Sequence, residues 1–216
     1  MADNSPAIIY LIRHGETAWN VEEVFRGHTD VPLNARGLRQ AQAAARALAG
    51  EPICAVYTSP LQRASTTAAA IAAGHGLEVR IEPRLIDLRF GEWEGKALSQ
   101  VREGWPEVFA QWERNPELAQ IPGGEGLADV RARAAAAVED LACAHGGETI
   151  AVVTHRVLTK VLLCYVLGLD DSRFWQIRQD TACINRIERS PQRWVVASMN
   201  DTCHLRRARG RVARDF

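Results

Sequence analysis

The stretch Ile8-Ile9-Tyr10-Leu11-Ile12-Arg13-His14-Gly15-Glu16-Thr17 decides the fold. Its first five residues are apolar and β-branched or aromatic, which predicts a short buried strand. The run stops at Arg13-His14-Gly15, so a cation and an imidazole stand at the strand's carboxyl end. In open α/β sheets ligands bind at that end. Gly15 permits a sharp turn or a close backbone approach to a ligand. Alone, an Arg-His pair after a strand is more often a surface loop. Two further runs alter that balance. Ile53-Cys54-Ala55-Val56-Tyr57 leads into Thr58-Ser59-Pro60-Leu61-Gln62-Arg63-Ala64, and residues 149–152 lead into Val153-Thr154-His155. A parallel sheet would bring all three ends to one edge, where they would meet an anion.

The remaining chain alternates in the same way. Residues 35–49 and 61–73 are Ala-rich and predict helices, stopped by Gly50 and by Gly74 or Gly76. Residues 77–81 predict a short strand. Residues 98–118 carry Trp105, Phe109 and Trp112 at helical spacing, a helical cap segment whose aromatics belong to the core. Helices are expected at 126–145 and 156–167. Residues 184–190 and 194–199 flank Pro191-Gln192 as a hairpin. The expected fold is a three-layer α/β/α sandwich. Its central sheet is mostly parallel, with a small helical cap insertion at about 98–125 and an antiparallel edge hairpin. The whole of 1–216 reads as one domain, with 205–216 as a basic tail.

Composition limits the function. The 26 basic and 26 acidic residues cancel, which argues against nucleic-acid and membrane partners. Five scattered cysteines (Cys54, Cys143, Cys164, Cys183 and Cys203) form no CxxC pair, which argues against zinc and against a disulfide framework. The expectation is therefore no metal and no cofactor. The N-terminus has no basic region before its short apolar run, so a cytoplasmic location is expected. The tail holds five arginines and one aspartate, a solvated extension or a lid over the site.

Together the motifs resemble the histidine phosphatase superfamily, also called the phosphoglycerate mutase-like family. The matching pieces are residues 11–20, Arg26-Gly27-His28-Thr29-Asp30-Val31-Pro32-Leu33, and Ser59-Pro60-Leu61-Gln62-Arg63-Ala64. Phe90-Gly91-Glu92-Trp93-Glu94-Gly95, Pro122-Gly123-Gly124-Glu125 and Val153-Thr154-His155 complete them in the family's order. The resemblance implies a phosphohistidine formed on His14. Arg13 and Arg63 would offer bidentate forks to the phosphoryl group. A main-chain carbonyl of the same loop would hold the other ring nitrogen of His14, and His155 would hydrogen-bond the transferring oxygens. Thr17, Asn20, Arg26, Gly27 and Arg156 are the expected substrate-binding residues.

The proton donor departs from the family pattern. Asp87 stands where the family usually has Glu, shorter by roughly 1.5 Å of reach. Glu92 and Glu94 are nearby alternatives; Asp87 is favoured over Glu92 by its position. Other departures are Arg156 in place of Gly, Lys160 where Arg is frequent, and Arg26 where Gln or Ser is usual. They suggest a strongly anionic substrate or a specificity unlike that of the commonest relatives. Residues 96–129 lack the paired arginines of the phosphoglycerate mutases; Arg102 and Arg114 are isolated. The reading is a metal-independent phosphatase acting on a small phosphorylated metabolite, with a homodimer as the candidate assembly. A mutase is the alternative, and a non-catalytic phosphate-binding module is the alternative of another class.

Overall fold

A computed structural model describes residues 5–208. The expected reading of the basic tail falls largely on 209–216, outside the described residues.

Alternation along the central strands explains the layers. In β1 (Ala7–Arg13), Ala7, Ile9 and Leu11 join one buried cluster, while Tyr10 and Ile12 join another. In β4 (Thr149–Thr154), Ile150 and Val152 join the first cluster, Ala151 and Val153 the second. Each strand is therefore apolar throughout because both faces are covered. Helices α6 (Leu127–Ala144) and α7 (Arg156–Val166) cover one face. Helices α2 (Ala35–Leu48) and α3 (Gln62–His75) cover the other with alanines and Leu48 and Ile71. Between β1 and α2 lies the short helix α1 (Ala18–Val21).

The sheet order is β3-β2-β4-β1-β5-β6, where β2 is Ile53–Thr58, β3 is Val79–Ile81, β5 is Ile184–Ser190 and β6 is Arg193–Asp201. The pairs β1–β4, β2–β4 and β2–β3 are parallel, while β5 and β6 form the antiparallel edge hairpin. Arg13 pairs with Thr154, and Thr58 pairs with Val153. That register sets the ends of β2, β4 and β1 side by side. Among the described residues, no helix is long and apolar enough to cross a membrane.

Two local expectations are corrected. The 98–118 segment is two helices, α4 (Leu98–Gly104) and α5 (Pro106–Arg114), plus a short 3₁₀ turn at Pro116–Leu118. Pro106 and Pro116 supply no N–H, and Trp105 and Asn115 before them leave helical geometry. Phe109 and Trp112 are buried, and Trp112 meets Phe90 edge-on and packs against Phe174, tying this segment to the body. The second concerns helix stops: α3 ends on Gly76, one of the two expected, with φ +67°, while α2 ends at Leu48 and is capped by Ala49 in right-handed geometry, one residue before Gly50.

Gly15 lacks a side chain for a packing reason that the sequence does not show. Its φ is not left-handed; instead a Cβ there would lie 2.5 Å from the Gly37 carbonyl oxygen. Reciprocally, a Cβ on Gly37 would lie 2.0 Å from the Glu16 carbonyl oxygen. The two glycines let the start of α2 pack directly on the loop that follows β1. Gly37→Ala is expected to lower unfolding free energy by about 1–3 kcal/mol, read from the urea midpoint, and to reduce turnover by shifting the His14 loop. Gly50→Ala, where a Cβ meets nothing within 4 Å, should change neither.

Candidate active site

His14 leaves β1 with its backbone clamped on both sides. Its N–H donates to the Thr154 carbonyl at 2.9 Å, and its carbonyl accepts from Ala182 N–H at 3.1 Å. Ala182 has φ +54°, a left-handed conformation that costs roughly 1–2 kcal/mol for a residue with a Cβ. The His14 side chain is buried, and Nδ1 lies 2.6 Å from the Gly15 carbonyl oxygen. A carbonyl can only accept, so Nδ1 carries the hydrogen and Nε2 holds a lone pair. Burial first, then the guanidinium groups of Arg63, Arg13 and Arg26, hold the His14 pKa well below the usual histidine value.

Arg63, at the start of α3, is fully buried and committed on three nitrogens. Nε donates to His155 Nδ1 at 3.2 Å, Nη1 to the Thr29 carbonyl at 2.8 Å, and Nη2 to the Gly27 carbonyl at 2.7 Å. Burial pulls its pKa down to about 10, so it remains a cation at neutral pH. Arg13 donates Nη1 to the Gln179 carbonyl at 2.7 Å. Arg26 is buried beside this group, close enough to act on His14, Arg63 and His155.

His155 precedes α7 and packs at 5.2 Å, ring centre to ring centre, from His14. Its Nδ1 accepts from Arg63, so in the neutral ring Nε2 carries the hydrogen, donated to Ser59 Oγ at 2.7 Å. The sequence reading overlooked this role of Ser59, although it quoted the residue within its motif. The donor expected to meet the transferring oxygens is thus held by Ser59. Burial, then Arg63, His14, Arg26 and Arg13, also hold His155 well below the usual histidine value.

Asp87 is buried with Oδ2 4.0 Å from both Arg63 Nη2 and His155 Nδ1. Its backbone carbonyl accepts from His28 Nε2 at 2.9 Å and from Arg133 Nη2 at 2.8 Å. Arg133 also donates to the carbonyls of Arg84 and Ile86 and to Glu125, so one α6 side chain holds the whole Asp87 loop. No local sequence signal marks that tertiary role. Glu92 is exposed. Glu94 is engaged structurally: Oε1 accepts from His28 and Phe90 N–H groups and Oε2 from Thr29.

The remaining expected residues lie around this centre. Thr17 donates both its N–H and Oγ1 to Asn20 Oδ1, closing the first turn of α1. Gly27 has φ +49° and presents its carbonyl to Arg63. Arg156 and Lys160 are buried on one side of α7. The Arg156 guanidinium lies 5.8 Å from the Trp175 ring centre, and Lys160 Nζ lies 4.4 Å from it. Trp175 in turn donates Nε1 to the Trp112 carbonyl of α5.

A neutral imidazole with a free lone pair among buried guanidinium groups defines a phosphoryl-transfer enzyme. The family model for the histidine phosphatase superfamily (branch 1) matches residues 9–202, and the chain belongs to that superfamily. It is similar to phosphoserine phosphatase 1 of Hydrogenobacter thermophilus, 36% identical over 91% of this chain and 93% of that protein. A probable phosphoglycerate mutase GpmB of Yersinia enterocolitica is 32% identical over 91% of this chain and 94% of its own. The solved structure of Bacillus stearothermophilus YhfR superposes with a TM-score of 0.89 at 32% identity, covering 92% of this chain and 99% of that one. The chain is a phosphatase, with mutase activity as the neighbouring reaction of the family.

The two depressed histidines make stability depend on pH. Below the ordinary histidine value of 6.5, the unfolded chain takes up protons at these positions that the native chain refuses. Stability is thus intact above that value and lost as pH falls, at up to about 1.4 kcal/mol per pH unit for each group. Thermal melts from about pH 6.5 to about pH 5 are expected to fall more steeply for the wild type than for a His14→Asn/His155→Asn double variant.

Proposed function

We propose that the chain hydrolyses a small phosphomonoester in two transfers through His14. The observation that carries this reading is the orientation of His14: Nδ1–H is committed to Gly15 at 2.6 Å, so Nε2 is the nucleophile. Arg13, Arg26 and Arg63 balance the phosphoryl charge, the contribution a metal would otherwise make, and the reaction is metal-independent. Asp87 gives a proton to the leaving alkoxide. It then takes one from the water that attacks phosphohistidine. As charge develops, His155 Nε2–H exchanges Ser59 for a phosphoryl oxygen. Thr17, Asn20 and Gly27 shape the rim. Residues 98–125 form the cap of a single catalytic domain, and Arg156 lies on its cap side.

Arg26 and the resemblance to phosphoserine phosphatase 1 support a small metabolite bearing a second anionic group. The resemblance to GpmB keeps phosphoglycerate mutase activity as the second reading. Arg102 supports hydrolysis: its guanidinium is engaged by Glu113 and by the Phe109 ring.

Rapid quench with labelled phosphoserine, phosphoglycerate and an aryl phosphate is expected to trap an acid-labile, base-stable phosphoenzyme. His14→Ala should lose both the label and turnover; turnover near the wild-type rate would remove His14 from the chemistry. Asp87→Asn should cost about 10²–10⁴-fold on alkyl phosphates but far less on nitrophenyl phosphate, whose leaving group needs little protonation. An equal loss on both would assign Asp87 a structural role, and a selective loss in Glu92→Gln would move the acid there.

A further inference from the structure

At the end of the sheet opposite the phosphoryl site, the fold gathers three side chains from distant segments. Cys54 is the second residue of β2, His145 follows the last residue of α6, and Glu148 precedes β4. Among the described residues these form a Cys/His/Glu cluster whose donor atoms all lie within 4.8 Å of one another. Cys54 Sγ is 3.3 Å from Glu148 Oε2 and 3.8 Å from His145 Nδ1, and Nδ1 is 2.7 Å from Oε2. Spacing along the chain predicted no ligand set, because 91 residues separate Cys54 from His145.

Two further observations mark the cluster. The β2–β4 register shifts between Ile53 and Ala55, so Cys54 is the extra residue of a bulge. Bulges re-aim a side chain out of the regular pleat, and here Cys54 meets the turn between α6 and β4. Second, His145 Nε2 lies 2.9 Å from Tyr57 Oη, which also accepts from Arg80 Nη1 at 3.1 Å. Metal-ligating histidines almost always have such a partner on the far ring nitrogen.

We propose that Cys54, His145 and Glu148 form a binding site for a zinc-class divalent cation, with water as the fourth ligand. With Zn–S of about 2.3 Å and Zn–N and Zn–O of about 2.0–2.2 Å, tetrahedral geometry sets the donor atoms roughly 3.3–3.6 Å apart. Two of the three observed separations are within a few tenths of an ångström of that range. The third, Nδ1 to Glu148, is a hydrogen-bond length and opens once the shared hydrogen leaves. Protons balance simply. The Cys54 thiol releases its proton to solvent, and Glu148 enters as a carboxylate. The imidazole carries its hydrogen on Nε2, donated to the second lone pair of Tyr57 Oη. Thiolate and imidazole donors favour zinc over magnesium or calcium. The bound ion would tie the start of β2 to the α6–β4 turn. Five residue steps along β2 separate Cys54 from Ser59 by roughly 17 Å, so the ion acts on stability and leaves the chemistry alone.

The test uses reduced, chelator-treated protein carrying Cys143→Ser and Cys203→Ser, which removes the other exposed thiols. Cadmium titration is expected to give one equivalent of thiolate-to-metal charge-transfer absorbance, displaced by zinc. Cys54→Ser should abolish the band, and His145→Gln should weaken binding at least as much as Tyr57→Phe, which should cost about 10–100-fold. Turnover of an aryl phosphate certifies that each variant is folded, and it should be unchanged in Cys54→Ser. No band in the parent, a band retained in Cys54→Ser, or unaltered affinity in folded His145→Gln would each overturn the site.

Discussion

Burying the Arg63 guanidinium is the constraint on which the phosphoryl site depends. A cation taken out of water is costly unless every direction it faces offers an acceptor. Three segments supply them: the carbonyls of Gly27 and Thr29, the Nδ1 lone pair of His155, and the more distant Asp87 carboxylate. The loop after α1, the end of β4 and the Asp87 loop are thereby arranged around one side chain. The same bond fixes the tautomer of His155 and leaves Nε2–H as its donor.

The surrounding packing exists to hold this polar centre still. Apolar faces on both sides of β1 and β4 rigidify the strands that end at Arg13 and just before His155. The alanines of α2 and α3 let those helices approach the sheet closely, and the Gly15–Gly37 contact brings α2 against the His14 loop. On the other face, Trp93, Trp112 and Phe174 link α5 to the core, while Arg133 of α6 grips the carbonyls around Asp87. Desolvation that this packing imposes is the largest influence on both histidines, ahead of the neighbouring arginines. A neutral nucleophile thus follows from burial as much as from charge.

The two ends of the sheet differ in kind. At the carboxyl ends of the parallel strands lie buried arginines and neutral imidazoles. At the opposite end, Cys54, His145 and Glu148 present soft and anionic donors. Parallel topology keeps these chemistries apart because each strand delivers its first and last residues to opposite edges.

Much of this was legible in the sequence. The apolar run at residues 8–12, its stop at Arg13-His14, and the matching stops at Ser59 and His155 were sufficient to define a parallel sheet with one functional edge. The reason is local: a strand buried on both faces must be apolar throughout, so a polar residue marks its end. The family resemblance pointed to Arg63 and Asp87, which the fold brings within 4.0 Å of each other. What only the tertiary structure decided are the contacts between segments without periodic signal. Ser59 as partner of His155, Arg133 under Asp87, and the Cys54–His145–Glu148 cluster all join residues whose sequence spacing carries no information. A hydrogen bond between residues 54 and 145 depends on strand order and register, and these are set by the global packing of helices on the sheet.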